Sequence, residues 1–541
     1  MGIPSYFAHV VRRHRAILQK IEAFGGPIDN FYMDCNSLIY DAVRDMGSTA
    51  GAQAPVMSRL IATVCAKIRE RVVSVRPTTR LMIAFDGVAP VAKLEQQRSR
   101  RYKSWFQRRV SEIVNKSEPS WDTAAITPGT EFMRKLSERV RRAFRPGSDP
   151  CLPPVVEVSP PDVPGEGEHK IYQYIRDHPV EHETSCTAIY GLDADLIMLT
   201  LNHLHIAPNM HLYRESPEFA RSLDASLDPG SAYLMNIPAF GKALSLNLGA
   251  ADQGGTSKGA SASRKGALVA DYIFLCFLLG NDFLPHFPAL NIRTRGIDRL
   301  VAGYAAVVAP TKRTLVSGGE VKWPVVRKLV AWLAEQEHGF ILDEYKVRDK
   351  QARRARAPQR TADDELNAIP LRDRHDEAYI DPSTDRWQER YYRTLFNTYP
   401  TDARVREICL NYLEGLEWTL RYYTTGCPDW QWCYKYDYPP LLEDLVRFVP
   451  TLSTRLIEDK PAQPVPDLVQ LAYVLPAPSL TLLPQNLRDT LLQLHPTWYD
   501  PDRSLRTAFC KYIWEAHPQL EHIDLRELRR IVAECARPEL K

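Results

Sequence analysis

Short runs of apolar residues recur through the first 300 residues of the chain, and several of them end in an aspartate. The segments "NFYMD", "RLMIAFD" and "TAIYGLDAD" each predict a buried strand, and stretches with helical periodicity separate them. This alternation predicts an α/β fold with a central, mostly parallel sheet. In such folds, ligands bind at the carboxyl ends of the strands.

A strongly basic segment, "VAKLEQQRSRRYKSWFQRR", follows the second of these strands. Its periodicity predicts a helix with Lys93, Gln97, Arg100 and Arg101 on one face, at positions i, i+4, i+7 and i+8. Such a face is either solvated or a binding site for an anion. Its position directly after Asp86 favours a pocket for a terminal phosphate, because arginine forks match phosphate oxygens and lysine adds a point charge.

At 541 residues the chain is too long for one ordinary hydrophobic core. The pattern of hydrophobic and polar residues also changes along the chain and predicts several segments. We expect an α/β domain over 1–310, with a mobile Gly/Ser/Ala-rich insert near 250–267. A connecting segment over 311–385 carries the charged stretch "RDKQARRARAPQRTADDELNA", which we expect to be exposed or disordered. Over 386–541 we expect a second region that is mainly helical and rich in Tyr and Trp.

The composition is that of a soluble globular protein, with 44% hydrophobic and 25% charged residues. The net charge of +3 is nearly balanced, so any binding of nucleic acid must depend on local clusters of charge. The ten cysteines show no spacing of a zinc module, which predicts reduced thiols. The chain has no pattern of a secretory signal or a membrane span. We expect an intracellular monomer that binds no membrane, in the cytoplasm rather than the nucleus.

Seven acidic residues lie at predicted strand ends or in turns that glycine borders. Each of them alone is as readily explained as a helix cap or a turn residue. The set of seven is not explained in this way, because carboxylates that converge at one sheet edge repel one another unless cations neutralise them. Hard oxygen ligands suit Mg²⁺ or Mn²⁺, and two such ions hold the attacking and leaving oxygens of a phosphodiester in line. The candidate ligands and catalytic residues are Asp34, Asp86, Glu166, Glu168, Asp193, Asp195 and Asp282.

Two of these acids, Asp193 and Asp195, are two positions apart in "GLDADLIML". If they continue the preceding strand, both side chains face the same side of the sheet. Glu166 and Glu168 repeat this spacing in "PGEGEHK", where glycine leaves the backbone bare for an approaching ligand.

Successive motifs of the chain resemble the signature blocks of the eukaryotic 5′→3′ exoribonucleases. The blocks occur in the order of that family and cover nearly the whole chain: "MGIPSYF", "IAFDGVAPVAKLEQQRSRRYKS", "ITPGTEFM", "VPGEGEHKI", "GLDADLIML", "LLGNDFLPHFPAL", "YLEGLEWTLRYYTTGCPDWQWCYKYDYPP" and "LVQLAYVLPAPSLTLLP". The resemblance implies a PIN or flap-endonuclease-like nuclease domain over 1–310 with two metal ions bound by the seven acids. It also assigns a 5′-phosphate pocket to Lys93, Gln97, Arg100 and Arg101.

The resemblance further implies residues that stack on RNA bases. Where the family has a histidine after the first aspartate, "DCNSLIYDA" places Tyr40, whose ring still offers a π face. The stacking tryptophan of the second region is either Trp430 or Trp432. For both, packing in the core remains an open alternative.

The resemblance implies a processive, Mg²⁺-dependent enzyme of RNA decay. It would remove mononucleotides from single-stranded RNA that carries a 5′ monophosphate. Two alternatives stay open. A structure-specific DNA flap endonuclease is disfavoured, because the aromatic second region would close the channel to a single strand. A non-catalytic RNA-binding scaffold is disfavoured by the complete set of acids. Decapping or other decay factors are conceivable protein partners that the residues do not identify.

Overall fold

The structure, a computed structural model, describes residues 3, 5–46, 53–115, 121–216, 221, 224, 226–250, 262–357 and 361–536. Most of the insert predicted near 250–267 lies outside these ranges. The chain forms two compact units, and each unit is described by itself. The first comprises Met1–Tyr32, Tyr172–Lys350 and His375–Ala462, and the second comprises Met33–Ile171, Gln351–Arg374 and Gln463–Lys541. Because these units are sets of mutual contacts and not stretches of sequence, the predicted segment boundaries stay predictions.

The strands and helices of the described residues follow one another along the chain. The strands are β1 (Leu18–Lys20), β2 (Asn30–Asp34), β3 (Arg80–Ala84), β4 (Val155–Ser159), β5 (Thr187–Tyr190), β6 (Met210–Glu215), β7 (Ala232–Asn236), β8 (Val316–Ser317), β9 (Glu320–Val321), β10 (Leu505–Arg506) and β11 (His517–Pro518). The helices up to the end of the first predicted domain are α1 (Tyr6–Arg13), α2 (Asn36–Met46), α3 (Gln53–Val75), α4 (Val91–Asn115), α5 (Glu131–Ala143), α6 (Gly167–Asp177), α7 (Pro179–Thr184), α8 (Asp195–His203), α9 (Ile237–Ala250), α10 (Ala262–Phe277) and α11 (Gly296–Gly303). The remaining helices are α12 (Trp323–Ala355), α13 (Ala362–Arg372), α14 (His375–Ile380), α15 (Trp387–Leu395), α16 (Asp402–Thr424), α17 (Leu442–Phe448), α18 (Asp467–Val474), α19 (Gln485–Leu494) and α20 (Leu525–Cys535).

In the first unit, sheet strands follow the order β1-β7-β6-β5. Strand β5 runs parallel to β6, with Thr187 opposite Met210, and β7 runs antiparallel to both β6 and β1. All four residues of β5 are buried, which is typical of a strand that is covered on both faces. The strand predicted from "TAIYGLDAD" is therefore present, but it ends at Tyr190.

In the second unit, β3 runs parallel to β4, with Arg80 opposite Val155. Just beyond β2, the backbone N–H of Cys35 donates to the carbonyl of Ala84 at 3.0 Å, so the carboxyl ends of β2 and β3 meet. The strand predicted from "NFYMD" is present and ends at Asp34, whereas the strand predicted from "RLMIAFD" ends at Ala84, two residues before Asp86.

Helices dominate the later part of the chain, as expected, and the α/β fold with a helical second region is confirmed. The charged stretch of the connecting segment differs from the expectation, because its residues 348–355 belong to the long helix α12. Arg348 is buried there, and its guanidinium donates to both carboxylate oxygens of Glu377 at 2.9 and 2.5 Å. A bidentate ion pair compensates the cost of burying this charge. None of the described helices combines the length and the apolar character that crossing a membrane requires.

Candidate functional site

The second unit brings Asp34 and Asp86 to the same glycine. Asp86 Oδ1 accepts a hydrogen bond from the backbone N–H of Gly167 at 2.7 Å. A Cβ atom placed on Gly167 would lie only 2.6 Å from Asp34 Oδ1, a distance that real Cβ atoms essentially never show. Any side chain at this position would therefore displace Asp34, which explains the second glycine of "PGEGEHK".

Asn36 holds Asp86 at this edge, and the sequence pattern did not single it out. Its Nδ2 atom donates a short hydrogen bond to Asp86 Oδ2, and its Oδ1 atom accepts from the backbone N–H of Asp86 at 3.2 Å. The only signal in the sequence is the position of Asn36, two residues after Asp34 and at the start of α2. A polar residue there is usually explained as a helix cap.

Glu166 and Glu168 flank Gly167, and both side chains are buried. Glu166 Oε2 pairs with Lys93 Nζ at 2.5 Å, so a predicted metal ligand contacts a predicted phosphate ligand. The turn itself is held by reciprocal backbone hydrogen bonds, from Gly87 N to Gly165 O at 2.8 Å and from Gly165 N to Val88 O at 2.7 Å. These bonds attach the glutamate turn to the segment that follows β3.

Lys170, near the start of α6, stabilises the same turn through hydrogen bonds of its side chain. Its Nζ atom donates to the carbonyl of Phe85 at 2.8 Å and to that of Pro160 at 2.9 Å. Burial lowers the pKa of Lys170 to about 8, and the charges of Asp86 and Asp34 oppose that shift. The side chain therefore connects Phe85, the residue before Asp86, to Pro160, the first residue after β4.

The four acids of the second unit suit a hard divalent cation by their chemistry, because all of their donor atoms are carboxylate oxygens. Within the described residues, no group of three or more His, Cys, Asp or Glu side chains is arranged to hold an ion. The case for a metal therefore depends on the type of donor and on the approach of Asp34 and Asp86 to Gly167. The type of donor fits Mg²⁺ or Mn²⁺.

The first unit carries the other three predicted metal ligands. Asp193 is exposed in the segment after β5, whereas Asp195 is buried as the first residue of α8. The idea that both continue the strand is wrong, because the chain leaves the sheet after Tyr190 and enters a helix at Asp195. An acidic residue in the first turn of a helix is favoured by the helix dipole, which gives Asp195 a local reason for its place.

Arg214 on β6 provides positive charge beside this segment. It donates to the carbonyl of Leu192 at 3.0 Å, and its guanidinium lies 3.6 Å from the centre of the Phe7 ring. Burial lowers the pKa of Arg214 to about 10, and the negative charge of Asp193 acts in the opposite direction. The arginine remains a cation at neutral pH and places positive charge near Asp193.

Asp282 lies on a tight turn after α10. Gly280 adopts a φ of +82° there, a conformation that glycine allows without strain. The Asn281 Oδ1 atom accepts from the backbone N–H groups of Phe283 and Leu284, both at 2.9 Å. The Phe283 ring then packs edge-on against Trp418, with ring centres 4.9 Å apart. The turn is thus closed by an amide and anchored by an aromatic side chain.

The structure separates the two tryptophans that the sequence left as alternatives. Trp432 is only 8% exposed and stacks on Trp418 with ring centres 5.3 Å apart. A Cβ atom on Gly415 would lie 2.8 Å from the Trp432 ring, so the lack of a side chain at Gly415 lets this ring pack against the helix. Trp430 is half-buried. Of the two rings, Trp430 is the more accessible to a base, and its stacking role stays a prediction.

The residue before Trp430 is firmly held. The Asp429 carbonyl accepts from Trp418 Nε1 at 2.8 Å, and its Oδ1 atom accepts from Gln431 N at 2.8 Å. Its Oδ2 atom pairs with Lys460 Nζ at 2.7 Å. Trp430 therefore lies between two residues that other contacts hold in place, Asp429 and Trp432.

The predicted phosphate-binding helix is present as α4. Lys93 and Gln97 are buried, and no hydrogen-bond partner for Gln97 Oε1 occurs among the described residues. Arg101 donates to the carbonyls of Ala124 and Ile126 at 3.3 and 3.1 Å, and burial lowers the pKa of its guanidinium. Lys93 and Arg101 are thus partly engaged by protein groups.

Arg100 and Tyr40 complete the predicted set in the second unit, and both are half-buried. The Tyr40 hydroxyl is near enough to influence the pKa of Arg101. A tyrosine at this position therefore lies close to the predicted phosphate pocket, as a base-stacking ring should. Its contact with a base remains a prediction.

Two family models match the chain. Residues 1–216 match the XRN 5′-3′ exonuclease N-terminus, and residues 265–379 and 372–530 match the Xrn1 helical domain. The chain is 28% identical to 5′-3′ exoribonuclease 2 of Gallus gallus, over 99% of the chain and 70% of that relative. It is 27% identical to the 5′-3′ exoribonuclease 2 homolog of Drosophila melanogaster, over 98% of the chain and 70% of the relative. It is 26% identical to 5′-3′ exoribonuclease 1 of Saccharomyces cerevisiae, over 98% of the chain and 43% of that relative.

Proposed function

The chain belongs to the XRN 5′-3′ exonuclease family, and we propose that it is a processive 5′→3′ exoribonuclease. Its substrate is single-stranded RNA with a 5′ monophosphate, and its products are mononucleotides. The observation that carries this proposal is the approach of Asp34 and Asp86 to Gly167, in a chain whose relatives are named 5′-3′ exoribonucleases. The predicted phosphate helix begins five residues after Asp86.

The proposal includes two divalent cations, which the carboxylate donors of the predicted acids favour by their chemistry. The resemblance to the exoribonucleases assigns the role of metal ligand to seven acids, Asp34, Asp86, Glu166, Glu168, Asp193, Asp195 and Asp282. When bound, Mg²⁺ or Mn²⁺ supplies Lewis acidity and neutralises charge on the scissile phosphate. The protein's own part is to orient the donors: Asn36 directs Asp86, and Gly167 leaves the space that Asp34 occupies.

The 5′ end is selected by the front face of α4, which we define as Lys93, Gln97, Arg100 and Arg101. A terminal phosphate satisfies buried polar groups of this face. A 5′ hydroxyl leaves them without that partner, and each lost charge-assisted contact costs on the order of 1.5–3 kcal/mol. A cap or a triphosphate adds groups beyond the single phosphate that four side chains on one helix face can bind.

The test is a time course on RNAs that are identical except for a 5′ monophosphate, hydroxyl, triphosphate or cap, with a DNA of the same sequence beside them. We expect rapid mononucleotide release from the monophosphate RNA and release about ten- to a hundredfold slower from the hydroxyl RNA. Capped and triphosphate RNAs should resist. EDTA should stop the reaction, and added Mg²⁺ or Mn²⁺ should restore it.

Other outcomes of the same assay would contradict the proposal. Equal rates on all four RNAs would mean that the enzyme does not recognise the 5′ end. Internal cuts in a DNA flap would favour the structure-specific endonuclease, and RNA binding without release of mononucleotides would favour the scaffold. Processivity is measured by adding excess unlabelled RNA after the first encounter and recording the length of each run.

A further inference from the structure

Helix α18, in the motif "LVQLAYVLP", packs against the segment between Asp86 and α4. Both belong to the second unit, although more than 370 residues of sequence separate them. One buried cluster joins residues of α18 with the residues that follow Asp86, namely Val469, Ala472 and Tyr473 with Val88, Ala89 and Leu94.

Among the described residues, the side chain of Gln470 on α18 makes one hydrogen bond, and that bond goes to this segment. Its side chain is fully buried, and Oε1 accepts from the backbone N–H of Ala89 at 2.9 Å. Among the described residues, Nε2 has no hydrogen-bond partner. A methionine would fill the same space without leaving a buried N–H₂ group unsatisfied, so packing does not explain a glutamine here. The bond to Ala89 does.

A second contact holds the back of the predicted phosphate-binding helix. The Tyr473 hydroxyl donates a short hydrogen bond to Glu95 Oε1, and the Arg98 guanidinium lies 5.7 Å from the centre of the Tyr473 ring. Arg98 is itself fixed by bonds to the carbonyls of Trp498 at 3.1 Å and Glu521 at 2.7 Å. Glu95 and Arg98 alternate along α4 with the front-face residues, so these contacts constrain the helix that carries the front face.

Ala89 lies three residues after Asp86 and four before Lys93. Asp86 is held by hydrogen bonds from Gly167 and Asn36. The bond from Ala89 to Gln470 fixes the backbone between this predicted metal ligand and the predicted phosphate pocket. The distance between these two sites must match the distance between the terminal phosphate and the scissile bond. A shift on the order of 1 Å in such a distance can lower a rate by about a hundredfold.

We propose that Gln470 and Tyr473 are positioning residues, which set the front face of α4 at the correct distance from Asp86. This inference rests on the proposed function. Neither side chain has to touch RNA: Gln470 acts through the backbone of Ala89, and Tyr473 acts through Glu95. The second region of the chain, 386–541, thereby contributes to recognition of the 5′ end from behind the pocket.

The experiment compares Gln470→Met and Tyr473→Phe with a matched control, Tyr499→Phe. Tyr499 donates from its hydroxyl to the carbonyl of Ala472 on the same helix at 2.9 Å, and this bond does not involve the segment after Asp86. For each variant, kcat and KM are measured on 5′-monophosphate and 5′-hydroxyl RNA, and the unfolding temperature is recorded. We expect the preference for monophosphate RNA to fall about tenfold in the two test variants and to stay within about twofold of wild type in the control.

Gln470→Glu is the rescue variant, because it keeps an acceptor at the same reach. Burial favours the protonated carboxyl group, whose carbonyl oxygen accepts from Ala89 as the amide does. We expect this variant to keep most of the preference that Gln470→Met loses. Should Gln470→Met fail to fold, Tyr473→Phe decides the question, because it removes only one hydroxyl.

A preference that is equal in Tyr473→Phe, Tyr499→Phe and wild type would overturn the inference while leaving the proposed function intact. A loss of stability in the test variants with an unchanged preference would also overturn it, because the two residues would then be structural alone. A wild-type enzyme with no preference for monophosphate RNA would instead overturn the proposed function. The wild-type ratio and the variant ratios therefore separate the two failures.

Discussion

Two turns carry predicted metal-binding aspartates, and different kinds of contact hold them. In the second unit, Asp86 is fixed by hydrogen bonds from Gly167 and Asn36. In the first unit, the turn of Asp282 depends on Phe283, whose ring packs against Trp418. Polar atoms hold the aspartate of the first turn directly, whereas the turn of Asp282, which the Asn281 amide closes, is attached to the rest of its unit by buried aromatic area.

The difference predicts how each turn responds to substitution. A hydrogen bond weakens steeply with distance and angle, so the loss of one polar atom or a small displacement should disturb Asp86. Aromatic packing is the sum of many weak contacts, so the turn of Asp282 should tolerate small shifts but not the loss of a ring. We therefore expect substitutions in the turn of the second unit to lower mainly the rate of hydrolysis. Substitutions of the aromatic residues in the first unit should lower mainly the free energy of unfolding.

The largest effect on catalysis is expected from Asp86→Asn. Asparagine keeps an oxygen that accepts from Gly167 N, but its N–H₂ group replaces the oxygen that accepts from Asn36, and the charge that would hold a cation is lost. We expect the hydrolysis rate to fall by on the order of 10²- to 10³-fold or more. A single-turnover assay with saturating Mg²⁺ measures the loss.

The matched control is Asp162→Asn, an exposed acid of the same unit, which should keep the wild-type rate. In the first unit, the double variant Asp193→Ala/Asp195→Ala should be as inactive as Asp86→Asn. If it retained substantial activity, the assignment of these two residues to a metal would be wrong.

The next largest effect is expected from Gly167→Ala, which tests the polar turn by displacement. The added methyl group would collide with Asp34 Oδ1, so Asp34 must move. We expect a rate about ten- to a hundredfold lower, because a small misplacement of a catalytic group has effects of that size. Circular dichroism and RNA binding check that the protein remains folded.

Gly339→Ala in helix α12 is the control, because no atom lies within 4 Å of the added carbon. This variant should be fully active and more stable by about 0.5–1 kcal/mol. Equal activity of the two glycine variants would show that the position of Asp34 does not matter for hydrolysis.

A smaller effect is expected from Arg100→Ala on the front face of α4. The rate on 5′-monophosphate RNA should fall by about tenfold, which corresponds to one charge-assisted contact, while the rate on 5′-hydroxyl RNA should change little. Arg134→Ala removes an exposed arginine that pairs with Glu138 and should change neither rate. If Arg100→Ala slowed both substrates equally, this arginine would not recognise the 5′ phosphate.

The smallest effect on rate, and the sharpest contrast in stability, is expected from the two tryptophans. Trp432→Ala empties a buried site and should cost about 3–5 kcal/mol of unfolding free energy. Trp430→Ala should leave stability nearly unchanged and should shorten each processive run, because base stacking is worth roughly 1–3 kcal/mol. Denaturant unfolding and a trap assay measure the two quantities. Unchanged run length in a folded Trp430→Ala variant would show that this ring does not stack on RNA.

The sequence alone determined the elements and their faces. The strands that precede Asp34 and Asp86 and the helix that carries Lys93 and Arg100 follow from periods of two and 3.6 residues, which are local properties of the chain. The glycines of "PGEGEHK" likewise pointed to a bare turn, and the structure adds that Asp34 needs the space at Gly167. These predictions succeeded because neighbours in sequence decide them.

The tertiary structure alone decided which side chains are covered and what holds them. Trp430 and Trp432 have the same local pattern, but only Trp432 meets Trp418, which comes from another part of the chain. Asp195 begins a helix instead of continuing the strand, and Gln470 accepts a hydrogen bond from Ala89, 381 positions away in the sequence. Burial and hydrogen-bond partners depend on residues that are distant in the chain, and periodicity carries no information about them.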